Sequence, residues 1–435
     1  MSLSEQPRAT EPIPLPTTAS SDQPLTPARS RIDSIDLLRG IVMVIMMLDH
    51  TRDFLHNAAL QFDPTDLSRT NEWLFFTRFI THYCAPVFVF LAGTGTYLQF
   101  ARGKTKAEVS RFLITRGLWL ILLEFTVVRF GVFFSPDPRL LGFMQVIWAI
   151  GVSMIILAAL IRLPVSVIGA FGVVMIAFHN VLDRLVIHGW QGPGSPVPSL
   201  STKLWFILHQ QGGFPIAGFP SPILFVVYPL IPWVGVMAAG YAFGVLYQKD
   251  ATARRRALFA IGGSVTVLFV IIRFINLYGD PAPWSPQKST LFTVLSFLNT
   301  SKYPPSLLYL LMTLGPAIMA LALFERSSPT PARASRPFWL RSVLVTFGRV
   351  PLFFYLLQWY TAHLIAVVLH LTFGKPVKWL FQTPIDWFTS PQQGIGFNLA
   401  VVYAAWIVGV LLLYPLCKWF AGVRQRRRDW WLSYL

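Results

Sequence analysis

Arg39 and His50 stand ten residues apart in the apolar segment that runs from Ser34 to Phe54. On an α-helix, eleven steps of about 100° return to within about 20° of the start. The two side chains therefore share a face, roughly 16 Å apart along the axis. Asp36, Met43, Met46 and Asp53 fall on or near the same stripe. An imidazole flanked by Asp49 and Asp53 has the parts of a general base, with a carboxylate to set its tautomer. The plain alternative is a structural histidine held by its neighbouring carboxylates. Ionisable groups inside an apolar segment are costly, and that cost makes them functional candidates.

The composition decides what kind of helix this is. The 435 residues are 54% apolar and 13% charged, with a mean hydropathy of +0.55, which excludes an ordinary soluble enzyme. Apolar runs near 20 residues recur along the chain, long enough to cross a hydrocarbon core. They are continuous rather than alternating, which predicts helices and argues against a β-barrel. The net charge of +17 does not point to nucleic acid, because the cations cluster between apolar runs. The two cysteines, Cys84 and Cys417, lie in different runs and read as packing residues with no disulfide framework.

The expected fold is all-α, a polytopic membrane bundle of about ten transmembrane helices with both termini cytoplasmic. The spans are placed at Ile35–Phe54, Trp73–Leu98, Phe112–Phe134, Leu140–Ile161, Pro164–Ile187, Ile223–Gln248, Ala257–Tyr278, Pro304–Phe324, Val343–Leu371 and Ile395–Phe420. Basic residues gather at Arg102–Arg111, Lys249–Arg256, Arg326–Arg341 and Arg424–Arg428, which sets those loops inside. Thr51–Glu72, Asp183–Pro222, Asp280–Tyr303 and Thr372–Gln393 then face outward. Residues 1–34, rich in Pro, Ser and Thr, read as a disordered cytoplasmic tail. Residues 35–420 form the membrane domain, and 421–435 a basic cytoplasmic tail. No internal repeat is evident, which weighs against a secondary transporter.

Depth along the spans sorts the buried polar residues into two layers. The outer layer holds His50, Asp49, Asp53, Arg78, His82, Glu124, Lys302 and Gln358, the inner layer holds Arg39 and Arg349, and Asn299, Lys302 and Tyr303 enter from outside just before Pro304. Glu124 and Arg129 are expected to pair with each other, and Met43, Met46 and Met47 to serve packing. Arg39 and Arg349 would otherwise snorkel to the interface. No Cys/His cluster has metal-ligand spacing, so no metal is expected.

Arg-x10-His on a first span resembles the motif of the transmembrane acyltransferase superfamily. Further phrases sharpen the resemblance to bacterial relatives of the heparan-α-glucosaminide N-acetyltransferase catalytic domain. They are RIDSIDLLRGIVMVIMMLDHTRDF from Arg31, APVFVFLAGTGTYL from Ala85, YPLIPWVGVMAAGYAFG from Tyr228, FLNTSKYPPSLLYLLMTLGP from Phe297 and FGRVPLFFYLLQ from Phe347. The resemblance implies an acyltransferase of a bacterial cytoplasmic membrane. It would take an acyl group, acetyl above all, from cytoplasmic acyl-CoA and deliver it to a sugar hydroxyl or amine on the far side. His50 and Arg39 then match the motif residues, with Asp49 and Asp53 beside the histidine, and His50 would serve as general base or as the nucleophile that is briefly acylated. Lysosomal relatives carry a histidine in the loop after the first span, where this chain has His56, so His56 is the rival. Bacterial relatives carry histidine where this chain has Gln358. Arg39 and Arg349 are expected to hold CoA phosphates. Arg78, His82, Asn299, Lys302, Tyr303 and Gln358 are expected toward the acceptor, with Arg78 or Lys302 facing the developing oxyanion. The partners are membrane lipids, acyl-CoA and a saccharide acceptor, with no nucleic acid; a homo-oligomer stays open. The competing reading is a transporter or translocase using the same buried groups.

Overall fold

Helix α1 (Asp33–Leu55) starts with Asp33 and Asp36 in its first turn and ends with Arg52 in its last, the charge order a helix dipole favours. The structure, a computed structural model, describes residues 32–59, 61–192, 195–217, 221–326, 338–389, 393–427 and 429–434. The tail expected over 1–34 therefore lies outside the described residues up to position 31, as does most of the basic stretch from Arg326 to Arg341.

In chain order there follow α2 (Glu72–Thr81), α3 (Cys84–Ala101), α4 (Lys106–Leu123), α5 (Arg129–Phe133), β1 (Leu140–Met144), α6 (Val146–Leu160) and α7 (Val165–Phe178). Then come α8 (Leu200–Leu208), β2 (Gly212–Pro215), β3 (Ile223–Val226), α9 (Leu230–Phe243), α10 (Ala251–Ile275), α11 (Thr290–Leu298) and α12 (Leu307–Arg326). The chain ends with α13 (Phe338–Arg349), α14 (Pro351–Thr372), α15 (Pro384–Thr389) and α16 (Leu399–Arg426). Among the described residues, seven helical rods are long and apolar enough to cross a membrane: 72–101, 165–184, 230–248, 251–275, 307–325, 351–372 and 399–426. Helix α6 is apolar but shorter. The protein is a polytopic membrane helix bundle. α1 is as long as its neighbours yet richer in charge, and it packs against α12, α13, α14 and α16, away from lipid.

Three expectations change. The runs at Leu140 and Ile223 do not begin spans but form strands. β3 pairs parallel with β1 and antiparallel with β2, in the order β1-β3-β2. Short apolar runs suit strand or helix alike; here Gln145 and Pro229 stand at the helix N-caps and hold the strands apart from α6 and α9. Second, the ninth span breaks at Val350, because Pro351 has no N–H to continue the ladder and starts α14 instead. Third, Glu124 and Arg129 do not pair. Glu124 opens a π-helical turn (Glu124–Val128), and its Oε2 accepts the Trp148 N–H (3.0 Å) at the start of α6, where free N–H groups attract a carboxylate. Arg129 instead donates to the carbonyls of Leu140 (2.7 Å), Ser135 (3.1 Å) and Asp137.

Two glycines let α13 lie directly on α1. A Cβ on Gly40 would sit 1.8 Å from the Leu344 carbonyl oxygen, and one on Gly348 1.8 Å from that of Asp36. At the far end of the chain α16 runs to Arg426, past the expected limit at 420. The turn Trp430–Tyr434 then returns to α4, where Tyr434 and Thr115 hydroxyls lie 2.7 Å apart.

Candidate active site

The last two turns of α1 carry Asp49, His50, Arg52 and Asp53. α2 lies beside them and brings Arg78 and Thr81. Arg78 Nη1 donates to both Asp49 oxygens (2.8 and 2.7 Å), and the Thr81 hydroxyl donates to Oδ1 (2.9 Å). Arg52 Nη2 reaches Asp49 at 2.8 Å and Asp53 at 2.6 Å, and Lys302 Nζ stands 3.7 Å from Asp49. Three cations thus face two carboxylates, Asp49 buried among them and Asp53 half exposed. The excess of positive charge suits a group that becomes negative during reaction.

Asp49 is wholly engaged by cations and Thr81, so the expectation that Asp49 or Asp53 sets the His50 tautomer is not met. His50 Nδ1 is buried and has no hydrogen-bond partner. The ring is positioned by stacking: Trp359 of α14 lies against it with centroids 3.6 Å apart and planes 17° apart. His50 forms part of the wall of a cavity of about 310 Å³, together with Met46, Asp53, Arg78, Thr81, Cys84, Gln145, Tyr228, Lys302, Tyr303, Trp359 and Trp379. Gln145 and Tyr228 sit where β1 and β3 hand over to α6 and α9, so the small sheet shapes one wall.

Lys302 and Tyr303 arrive on the connection from α11 to α12, which is tied down at four points. Asp280 accepts from the Ser301 N–H (2.8 Å) and the Ser306 hydroxyl (2.6 Å). Asn180 accepts the Leu307 N–H (2.8 Å), and His179 Nε2 lies 2.8 Å from the Pro305 carbonyl. Burial pushes the Asp280 carboxyl up, against the pull of the hydrogen bonds from Ser306, Ser301 and Ala282. Tyr303 then packs edge-on to Tyr228 at 5.3 Å.

A family model for the catalytic part of heparan-alpha-glucosaminide N-acetyltransferase matches residues 31–274, more than half of the chain. The chain belongs to this family. No curated protein matches it. The matched stretch carries the acyltransferase-family side of the cavity: Asp49, His50, Asp53, Arg78, Gln145 and Tyr228. Lys302, Tyr303, Trp359 and Trp379 come from beyond it and close the other side.

Several residues expected toward the acceptor do not line this cavity. The His82 ring packs edge-on to Tyr309 (5.4 Å), and its carbonyl accepts the Tyr309 hydroxyl. Asn299 binds loop backbone through Thr65 O (3.0 Å). Gln358 is fully buried, with neither amide atom partnered. His56 faces a separate groove, where its Nδ1 accepts the Ala58 N–H (3.1 Å). Burial and the nearby Arg52 push its imidazole down to about 4, so it is neutral near pH 7.

At the other end of α1, Arg39 pairs with Asp36 (3.3 Å) and reaches the Gly348 carbonyl (3.3 Å). Arg349 lies 3.7 Å from Asp33, and its carbonyl accepts from Arg424 (2.8 Å). Arg116 of α4 is within electrostatic range of Arg424 and Arg39. The inner layer is thus larger than Arg39 and Arg349. Arg424 was legible only as part of a basic tail, and Arg116 gave no signal beyond one charge in an apolar run. The α1 residues that line the cavity begin at Met46, and Met43, one turn nearer Arg39, is buried. Arg39 is not among the residues that line this cavity.

Proposed function

We propose that this membrane acyltransferase-family protein moves an acetyl group from cytoplasmic acetyl-CoA to a hydroxyl or amine of a saccharide on the opposite face of a bacterial cytoplasmic membrane. About ten spans with both termini cytoplasmic put Arg39 inside and His50 toward the outside. The observation that carries the reading is His50, stacked on Trp359 in the wall of a cavity that also holds Arg78 and Lys302. Arg39 and Arg349, with Arg116 and Arg424, hold the phosphates of the donor. The pantetheine arm reaches His50 when Met43 swings aside, a movement an unbranched thioether permits.

In the reaction the acceptor oxygen or nitrogen attacks the thioester carbonyl while His50 takes its proton. Lys302 and Arg78 stabilise the oxyanion. The carbon–sulfur bond breaks, and the thiolate recovers the proton from His50. In the covalent variant the acetyl group rests first on the imidazole and passes to the acceptor in a second step.

The test uses purified protein in lipid nanodiscs with labelled acetyl-CoA and glucosamine. Transfer is expected, and His50→Ala should lower it by about 10²–10⁴-fold. Mass spectrometry of protein quenched with acetyl-CoA alone separates the two routes, since only the covalent one leaves an acetylated histidine. Full transfer by His50→Ala overturns the mechanism. Gradient-driven sugar uptake with no acetyl-CoA turnover overturns the reading in favour of a transporter.

A further inference from the structure

Across the Asn57–Thr70 loop from the His50 cavity lies a second, more open groove of about 670 Å³. The end of α1, that loop, the start of α2 and the segment before α16 build it, and Asn57, Gln61, Arg69, Asn71, Trp73 and Asn398 supply its polar and aromatic lining. The groove is rich in donors. Asn71 and Asn398 use their side-chain oxygens as helix caps, accepting from Leu74 N (2.9 Å) and Val401 N (3.1 Å), so each keeps its amide NH2 for a ligand. The Arg69 guanidinium lies over the Phe62 ring (4.4 Å) and gives one N–H to the Gln61 carbonyl (3.0 Å), leaving others of its five donors. No carboxylate is among the lining residues. Trp73, an aromatic residue lining the groove, is 72% exposed.

The loop between groove and cavity is set in advance. Asp63 accepts the Thr65 N–H (2.8 Å), Asp66 the Ser68 N–H (3.0 Å), and the Thr70 hydroxyl donates to Pro64 O (2.7 Å). A backbone bridge between His56 and Phe397 ties the end of α1 to the segment before α16. Such preorganisation lowers the ordering cost of binding. The same loop turns Pro64 toward the His50 cavity. That cavity, at the small end for a ligand site, has to take the acyl carbon and the reacting part of the acceptor, which leaves no room for a longer one.

A ligand that answers many donors, one guanidinium and an aromatic platform has many oxygen acceptors on a rigid ring with an apolar face. We infer that the groove is a saccharide subsite, holding the sugar residues next to the one acylated in an acceptor more than one ring long. The inference takes from the proposed acyl transfer only that the ligand is the acceptor; the groove's chemistry is independent of it.

The test is binding by the full-length protein in zwitterionic-lipid nanodiscs, without acyl-CoA, of N-acetylglucosamine and of its linear β-1,4-linked tetramer, read by saturation-transfer NMR and titration. The tetramer should bind at least about tenfold more tightly than the monomer, a gap of about 1.4 kcal/mol. Trp73→Ala and Asn57→Leu, both at exposed positions, should erase that preference while the thermal midpoint stays unchanged. Equal affinities, or a preference that survives both substitutions, overturn the subsite. Tighter binding of glycerol phosphate than of the tetramer assigns the groove to a lipid headgroup and also overturns it. Tetramer preference with no His50-dependent transfer sinks the proposed reaction alone. His50-dependent transfer with no such preference sinks the subsite alone.

Discussion

Trp359 lies against the His50 ring at 3.6 Å between centroids, on a helix 309 positions further along the chain. With Nδ1 unpartnered, that stack is what orients the imidazole. Trp359→Phe keeps a flat face and should retain most transfer. Trp359→Leu frees the ring and should lower kcat by about 100-fold, the cost of a misplacement near 1 Å. Acetyl transfer kinetics check this: equal kcat values in the two variants would show that the stack positions nothing.

Asp49 binds Arg78 through both oxygens and also meets Arg52, Thr81 and Lys302. Asp49→Asn leaves three buried cations short of their counter-charge. The expected loss is about 3–5 kcal/mol, as for breaking one side of a buried pair. Asp53 is half exposed and has Arg52 as its ion-pair partner, so Asp53→Asn should cost only about 0–1 kcal/mol. Thermal unfolding of the two variants in the same nanodiscs tests the contrast, and similar midpoints would contradict it.

Much of this site was legible in the sequence, for physical reasons. Charges inside apolar runs stand out because lipid penalises them, so Asp49, His50, Arg78 and Lys302 were found from residue type and depth. Their partners were not. Depth says nothing about which helices touch, so the Arg78–Asp49 clasp, the capping role of Glu124 and the removal of His82 and Gln358 from the cavity wall appear only in three dimensions. Trp359, Trp379 and Tyr228 were hidden for the opposite reason: aromatic residues are ordinary in a membrane chain. The strands at Leu140 and Ile223 were misread because an apolar run of four or five residues has no period to distinguish it.

The glycine contact between α1 and α13 sets the height of Arg39, which bonds the Gly348 carbonyl. Gly348→Ala would put a methyl group 1.8 Å from the Asp36 carbonyl oxygen, and backbone on both sides cannot rotate away. The helices must separate, at a cost of about 1–3 kcal/mol. The same separation pulls Arg39 from its partners, so the KM for acetyl-CoA should rise more than kcat falls. Gly263→Ala on α10, with open space at its Cβ, is the control and should leave the thermal midpoint unchanged or slightly raised. A Gly348→Ala protein with wild-type midpoint and KM would show that the close crossing is not required.

His56 gives a pH dependence of known sign. Its imidazole is pushed from 6.5 to about 4 in the folded protein by burial and by Arg52. Between those values the unfolded chain holds a proton that the folded chain refuses, so stability falls as pH falls through that window and is complete above it. His56→Asn keeps an acceptor near the position of Nδ1 for the Ala58 N–H and removes the titration. Thermal midpoints in nanodiscs from neutral pH to about pH 4 should therefore fall more steeply for wild type than for His56→Asn, with the curves parallel above about pH 6.5. Curves that stay parallel throughout would mean that His56 titrates freely in the folded protein, and that the groove beside it is wet enough to hold an imidazolium.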